Sequence, residues 1–209
     1  MTRSLFFKLK EAQEAQEDAL AALDKMRTDA RQAGQGLSIP IGLGIISGVE
    51  QNGTTLTLAS LEKSCPLLED LSPGLTTIRF QDEEGLAAGK EICIFDNIKG
   101  EVAVITSADK NTLTLAAPLA NGYLKTESVC LLVEKVSLFL DAEKSVLRRK
   151  AGASSPQPLL EGVLSFDFSY DGEKNLLRLG IRLQSDKEKD YEISVFPKNL
   201  ALARMAKFS

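Results

Sequence analysis

An apolar stripe at alternating steps of three and four residues dominates the N-terminal part of the chain, with Gln16 as its polar interruption. The stripe consists of Leu5, Leu9, Ala12, Ala19, Leu23, Met26, Ala30 and Ala33. This spacing places the side chains on one face of an α-helix. Gly34 and Gly36 follow the stripe, and Pro40 comes soon after, as is typical of a helix end. At about 1.5 Å per residue, the predicted helix is on the order of 45 Å long.

The chain after Pro40 changes to short apolar runs that are separated by polar turns. Asn52-Gly53 lies between two such runs, which is a strong signal for a β-hairpin. Near the C-terminus, three segments within residues 163–196 alternate apolar and polar side chains, as half-buried antiparallel strands do. These patterns predict antiparallel meanders rather than βαβ units.

Two segments, residues 62–75 and residues 151–158, contain the prolines and small residues that are typical of loops. The sequence therefore divides into an N-terminal amphipathic helix over residues 1–36 and a β-rich globular body over residues 37–209. The predicted fold class is α+β, with the long N-terminal α-helix packed on an antiparallel β-sheet body.

Composition excludes several classes of function. The formal net charge of −4 and the sequence pI near 5.1 give no electrostatic footprint for nucleic acid. The chain contains no histidine, which removes Ser-His-Asp and Cys-His catalysis and every histidine-ligated metal site. The sequence thus predicts a protein that is not an enzyme, without catalytic residues, cofactor, metal or small-molecule substrate.

Three patterns suggest chemistry but have simpler interpretations. Gly42, Gly44 and Gly48 lack the strand and helix of a phosphate-binding loop, so we expect a flexible connector. The acidic triplet at residues 82–84 lacks the spaced oxygen ligands of a calcium loop and is expected to be a solvated turn. The basic cluster at residues 148–150 is interpreted as the polar edge of a strand.

The three cysteines, Cys65, Cys93 and Cys130, form no CxxC pair, which argues against a zinc ribbon or a thioredoxin-like motif. An oxidising compartment would allow one disulfide and leave one thiol, whereas a reducing one would leave three small core residues. Cys93 and Cys130 each lie in a predicted strand and could be partners across a sheet. Buried thiols are an equally good interpretation of both.

The helix stripe has two interpretations. Its spacing is that of the heptads in a coiled-coil oligomer. However, the stripe is rich in alanine, and the apolar face of the β body must be covered by another element. We therefore favour a helix whose second half packs on the sheet and whose first half projects from it.

Three stretches, in this order, resemble the PilW-like minor pilins of type IV pili, whose relatives include the J-type pseudopilins of type II secretion. The first is "ALAALDKMRTDARQAGQG", which is similar to the end of the family's helix. The second is "VSLFLDAEKSVLRRKAG" followed by "PLLEGVLSFDFSYD", similar to a strand, a turn and an aromatic strand of the family. The third is "LLRLGIRLQSDKEKDYEISVFPKN", similar to the family's closing hairpin.

This resemblance implies a structural minor pilin that takes part in pilus assembly, in the assembly-initiating or tip complex. Implied partners are other minor pilins and the major pilin, in the bacterial cell envelope with a periplasmic body. The family's apolar half-helix, which would anchor the chain in the inner membrane, is expected to be missing from the front. The alternatives are a pseudopilin of a type II secretion system and a coiled-coil-stalked binding module of a phage or secretion machine.

Overall fold

The computed structural model describes residues 3–80 and 85–205, and within them the side chains of residues 10, 13–80 and 85–204. The helices in these ranges are α1 (Arg3–Gln32), α2 (Ser38–Gly42) and α3 (Lys198–Met205). The strands are β1 (Val49–Asn52), β2 (Thr55–Ser64), β3 (Thr77–Arg79), β4 (Glu91–Phe95), β5 (Gly100–Asp109), β6 (Thr112–Leu115), β7 (Val129–Asp141), β8 (Val146–Ala151), β9 (Gln157–Glu161), β10 (Val163–Asp171), β11 (Leu176–Leu183) and β12 (Asp190–Val195).

The strands form a nine-stranded sheet and a three-stranded sheet. The larger sheet has the order β1-β2-β7-β4-β5-β6-β3, with β8 on β7 and β9 on β8. The long strand β7 organises it, because its residues 131–139 pair with β2 on one side, while on the other side its first part pairs with β4 and its second part with β8. The smaller sheet has the order β10-β11-β12.

Helix α1 packs its second half against strands of both sheets. The buried α1 side chains and the nearby Ala33 form one core with residues of β2, β7, β8 and the three-stranded sheet. The members of that core from this region are Ala19, Ala22, Leu23, Met26, Ala30 and Ala33. Their alternating steps of three and four residues place them on the face of the helix that meets the body.

The expected fold class, a pilin-like α+β protein, is wrong. The described chain is mainly β, with twelve strands that continue from Val49 to Val195 and one long helix. A simple meander is also wrong for the larger sheet, because β7 joins β2 and β4, which are far from it in the chain. Alternation of side chains predicts that a strand exists but not which distant strand it pairs with.

Local predictions were confirmed where turn residues and strand alternation agree. The Asn52-Gly53 hairpin exists, with Asn52 opposite Thr55. The three C-terminal segments form the antiparallel strands β10, β11 and β12. Helix α1 ends at Gln32, and Gly34 follows with a φ of 78°, a left-handed conformation that glycine adopts at little cost.

Other local predictions were wrong. The predicted loop from residue 62 instead continues β2 to Ser64. The connector that contains Gly42 begins with α2, in which Pro40 is buried and occupies the first turn, where its missing N–H is tolerated. Helix α3 follows the last strand and was not predicted. Its eight residues are too few to give a clear helical period.

Asn175 fixes the turn between β10 and β11 and links it to the start of α3. The residue is buried and has a φ of 50°. Its Nδ2 donates to the carbonyl oxygen of Pro197 at 2.8 Å, and its Oδ1 accepts from the hydroxyl of Tyr170 at 2.7 Å. Asparagine suits this position because it tolerates the left-handed conformation and supplies both a donor and an acceptor.

We expect Asn175→Ala to lower the free energy of unfolding by about 1–3 kcal/mol, because one buried and one partly buried hydrogen bond are lost. Asn175→Gly removes the same hydrogen bonds but keeps the backbone freedom, and should be less destabilising than alanine. Urea unfolding of the three proteins measures both differences. Equal stability of Asn175→Ala and the parent protein would contradict this role.

Candidate functional site

A buried ion pair fixes helix α1 on the body. The carboxylate of Asp29, whose side chain is 1% exposed, accepts from Nε and Nη2 of Arg149 on β8 at 2.7 and 3.0 Å. Lys25 Nζ lies 3.2 Å from the same carboxylate. The hydrogen bond to Asp29 raises the pKa of Arg149 above its usual value. Since both partners are held in a bidentate geometry, α1 has a defined rotation and position relative to β8.

A groove of about 920 Å³ lies beside α1, and we call it the α1–β9 groove. One wall is α1, where small side chains leave the space open. The other wall consists of β9, the last residue of β11 and the residues that follow these two strands. The lining residues are Ala15, Asp18, Ala21, Ala22, Pro158, Leu159, Leu160, Glu161, Gly162, Leu183, Gln184 and Ser185.

The outer edge of β9 faces no further strand among the described residues, since β9 pairs with β8 alone. Just beyond β9, the carbonyl oxygen of Gly162 accepts from the N–H of Gln184 at 2.8 Å, and both residues line the groove. The groove therefore combines aliphatic side chains with a short strand edge. Such a surface can receive an amphipathic helix or an extended segment of a partner.

The charged residues at the groove are acidic. Asp18 and Glu161 are exposed on its two walls, and the lining includes no lysine or arginine. Glu14 and Glu17 on the neighbouring part of α1 are also exposed. A segment that carries both apolar and basic side chains is therefore the complementary occupant.

Helix α1 continues on the N-terminal side of the groove. Ala19 is its first fully buried side chain among those described, and Ala15 is half-buried. The described side chains before Ala19 are otherwise exposed. These are Lys10, Gln13, Glu14, Gln16, Glu17 and Asp18. Residues 3–14 amount to about 18 Å of helix at 1.5 Å per residue.

The structure describes the side chains of the second half of the predicted stripe. Ala19, Leu23, Met26, Ala30 and Ala33 are buried against the body. The side chains of Leu5, Leu9 and Ala12 lie outside the described residues. A coiled coil that runs through residues 5–33 would need the buried half of the stripe to be free, whereas the body already covers it.

The predicted pair Cys93–Cys130 is not brought together. Both are free thiols, and Cys93 lies opposite Leu131, the neighbour of Cys130. Adjacent positions on a strand point to opposite faces of the sheet. Accordingly, Cys93 belongs to the core beside Phe95, whereas Cys130 belongs to the core that contains Cys65. The sequence placed both cysteines in strands, but it did not show that their side chains point to opposite faces of the sheet.

The other sequence patterns carry no site within the described residues. Gly48 packs against Leu200 rather than forming an anion-binding loop, and the acidic residues 82–84 lie outside the described residues. The basic cluster is not a strand edge, because β8 pairs on both sides and Arg148 and Arg149 bind Asp141 and Asp29. Residues 3–80 and 85–205 contain no group of three or more side chains that could hold a metal ion.

No helix among the described residues has a stretch that is both long and apolar enough to cross a membrane. No family model matches the chain, and no curated protein matches it. Among solved structures, one match is the Gp54 tailspike of Acinetobacter baumannii bacteriophage AP22, in complex with A. baumannii capsular saccharide. It is 19% identical, with a TM-score of 0.33, over 37% of this chain and 15% of its own.

A second match is the tailspike protein gp49 from Pseudomonas phage LKA1, 23% identical with a TM-score of 0.32, over 35% of this chain and 14% of its own. The chain thus spans about one seventh of the length of each tailspike. Likeness at this level carries no argument about the function of this chain.

No pilin is among these matches, and the described chain contains far more strand than helix. The assignment to the PilW-like minor pilins is therefore wrong, and so is the pilus function that depended on it. The partner subunits and the envelope localisation that the resemblance implied stay predictions without support.

Proposed function

We propose that this chain is a non-catalytic assembly module that associates with a second copy of itself through α1 and the α1–β9 groove. Modules of this kind build larger particles such as those of phages or secretion machines. The observation that carries the proposal is a groove with aliphatic walls and acidic side chains, beside a helix whose described side chains before Ala15 are exposed. The absence of histidine supports a non-catalytic role.

The occupant we infer is the N-terminal segment of α1 from the second copy. Residues 3–10 have the sequence RSLFFKLK, which combines four apolar residues with the basic residues Arg3, Lys8 and Lys10. These charges complement Asp18 and Glu161 at the groove. Complementary charge favours one orientation of the partner and suppresses others.

An antiparallel pair of α1 helices satisfies this complementarity twice. A two-fold axis near residues 12 and 13 places residues 3–10 of each copy beside residues 15–22 of the other. The basic segment of one copy then meets the acidic segment of its partner, and both grooves are filled. Such an isologous interface closes at two copies, so the expected assembly is a dimer.

The test is sedimentation equilibrium of the full chain and of two charge variants. We expect the parent protein to show a reversible dimer that weakens with salt, as charge pairing in water does. In Asp18→Lys/Glu161→Lys, basic side chains meet the basic segment, and the dissociation constant should rise by about tenfold or more.

Asp24→Lys/Glu173→Lys is the matched control, because it changes the net charge by the same amount at two exposed acids that do not line the groove. This variant should leave the dimer unchanged. A parent protein that stays monomeric at every concentration, or a stable trimer, contradicts the proposal. So does a dimer that responds equally to both sets of variants.

A further inference from the structure

Cys65 and Cys130 lie directly opposite each other where the β2–β7 ladder ends. The ladder pairs Lys63 with Leu132 and Ser64 with Leu131, and the next pair in register is Cys65 with Cys130. The backbone N–H of Cys65 donates to the carbonyl oxygen of Cys130 at 2.8 Å, which confirms this register.

Both cysteine side chains also lie on the same face of the sheet. They belong to one core cluster, and their residues are 1% and 3% exposed. Side chains that are directly opposite in an antiparallel pair have Cβ atoms about 4.5–5.5 Å apart. Cys65 and Cys130 are a hydrogen-bonded pair, so their Cβ atoms lie at the wide end of this range, whereas a disulfide needs a Cβ separation of about 3.5–4.5 Å. The Cα separation of about 5.5 Å in such a pair already suits a disulfide, so the Cβ atoms must approach each other by about 1 Å.

We propose that Cys65 and Cys130 form an intramolecular disulfide when the chain folds under oxidising conditions, and that Cys93 remains a thiol. The proposal rests on the register and the shared face, and it is independent of the proposed dimer. It also replaces the pair Cys93–Cys130, which the alternation of side chains along β7 keeps on opposite faces.

The chemistry needs an oxidant, and oxidised glutathione represents the class. The thiolate of one cysteine attacks a sulfur of the oxidant, forms a mixed disulfide and releases one reduced glutathione. The thiolate of the second cysteine then attacks the protein sulfur and releases the second reduced glutathione. Two cysteine protons leave, the two cysteine sulfurs are oxidised, and one oxidised glutathione is reduced to two thiols.

Burial decides when the bond can form. Desolvation, followed by the nearby charges of Cys65 and Cys93, raises the pKa of Cys130 far above its usual value. Desolvation also raises the pKa of Cys93 to about 12. Since the thiolate is the reactive form, the folded protein should oxidise slowly. We therefore expect the bond to form during folding, before the core closes over the two sulfurs.

The bond would join the end of β2 to the start of β7. The segment between Cys65 and Cys130 contains β3, β4, β5 and β6, which form much of the core cluster that contains the two cysteines. In the chain-entropy model, a cross-link that closes so long a loop lowers the conformational entropy of the unfolded chain strongly. The oxidised protein should therefore unfold at a higher temperature than the reduced one, by roughly 5–15 °C.

The experiment refolds the full chain in a glutathione redox buffer, alkylates the remaining thiols and maps the peptides by mass spectrometry without reduction. The expected result is one linked peptide pair that contains Cys65 and Cys130, together with alkylated Cys93. A linked pair that contains Cys93, or three alkylated cysteines after oxidative refolding, overturns the proposal.

Cys93→Ala provides a second measurement that keeps the proposed bond. This variant should lose the same mass of two hydrogens on oxidation as the parent protein and show a similar rise in melting temperature. Cys130→Ala should show neither change. If Cys130→Ala does not fold, peptide mapping of Cys93→Ala alone still decides whether Cys65 and Cys130 are joined.

Discussion

Gly34→Ala should lower the free energy of unfolding by about 2–5 kcal/mol, the sum of a left-handed backbone penalty and overpacking. Gly34 has a φ of 78°, and a Cβ at this position would overlap the side chain of Leu200. Leu200 is buried, and it is also in close contact with Gly48, so it has little room to move. The backbone nitrogen of Leu200 lies 3.3 Å from the same Cβ position.

Gly44→Ala separates the two contributions. Gly44 has nearly the same backbone conformation, with a φ of 76°, but no atom lies within 4 Å of its Cβ position. We expect this variant to show the backbone penalty alone, about 1–2 kcal/mol. Chemical denaturation of both variants measures the difference. Equal losses of stability would mean that the contact between the end of α1 and α3 contributes nothing.

Asp29→Ala should lower the free energy of unfolding by about 3 kcal/mol, because it leaves the guanidinium of Arg149 without its partner. The side chain of Arg149 is 24% exposed and that of Asp29 is 1% exposed, so water replaces the lost contacts poorly. The ion pair joins α1 to β8, and its loss should also loosen the wall of the α1–β9 groove. Denaturation measures the first effect, and amide hydrogen exchange in α1 measures the second.

Asp24→Ala is the control for this measurement. Asp24 also pairs with an arginine on α1, Arg27, at 3.1 Å, but its side chain is 72% exposed. Its removal should change stability by less than about 1 kcal/mol. The double variant Asp29→Leu/Arg149→Met should be more stable than Asp29→Ala, because no buried charge is left unpaired. Similar losses from Asp24→Ala and Asp29→Ala would contradict the role of burial.

The parts of the fold that could be predicted are those set by neighbouring residues. The stripe that ends with Ala33 and the glycine at Gly34 located the end of α1. The alternation from Val163 to Val195 located β10, β11 and β12. In both cases, side-chain periodicity and turn chemistry point to the same local structure.

The parts that could not be predicted depend on pairing between distant segments. Nothing near β7 in the chain indicates that it joins β2 and β4. Asp29 could be read as half of a helical pair with Lys25, whereas its main partner, Arg149, is on β8. The same limit explains the cysteines, because a one-residue difference in register decides which face of the sheet each thiol occupies.

The α1–β9 groove was not found from the sequence for a related reason. Its helical wall could be read as an alanine-rich stretch of α1, but its second wall exists only because β9 pairs with β8 and leaves an edge beside α1. The acidic residues of α1 and the basic residues 3–10 were visible in the sequence. Their proposed pairing between two copies depends on the groove, which the sequence did not reveal.

Carbodiimide cross-linking of a mixture of isotopically labelled and unlabelled protein tests the proposed dimer most directly. This reagent joins amines to carboxylates that are in contact, and the mixed isotopes identify links between copies. We predict links from Lys8 or Lys10 of one copy to Asp18 or Glu161 of the other. Links between copies that do not include these residues, or their absence at concentrations where the protein sediments as a dimer, would contradict the account.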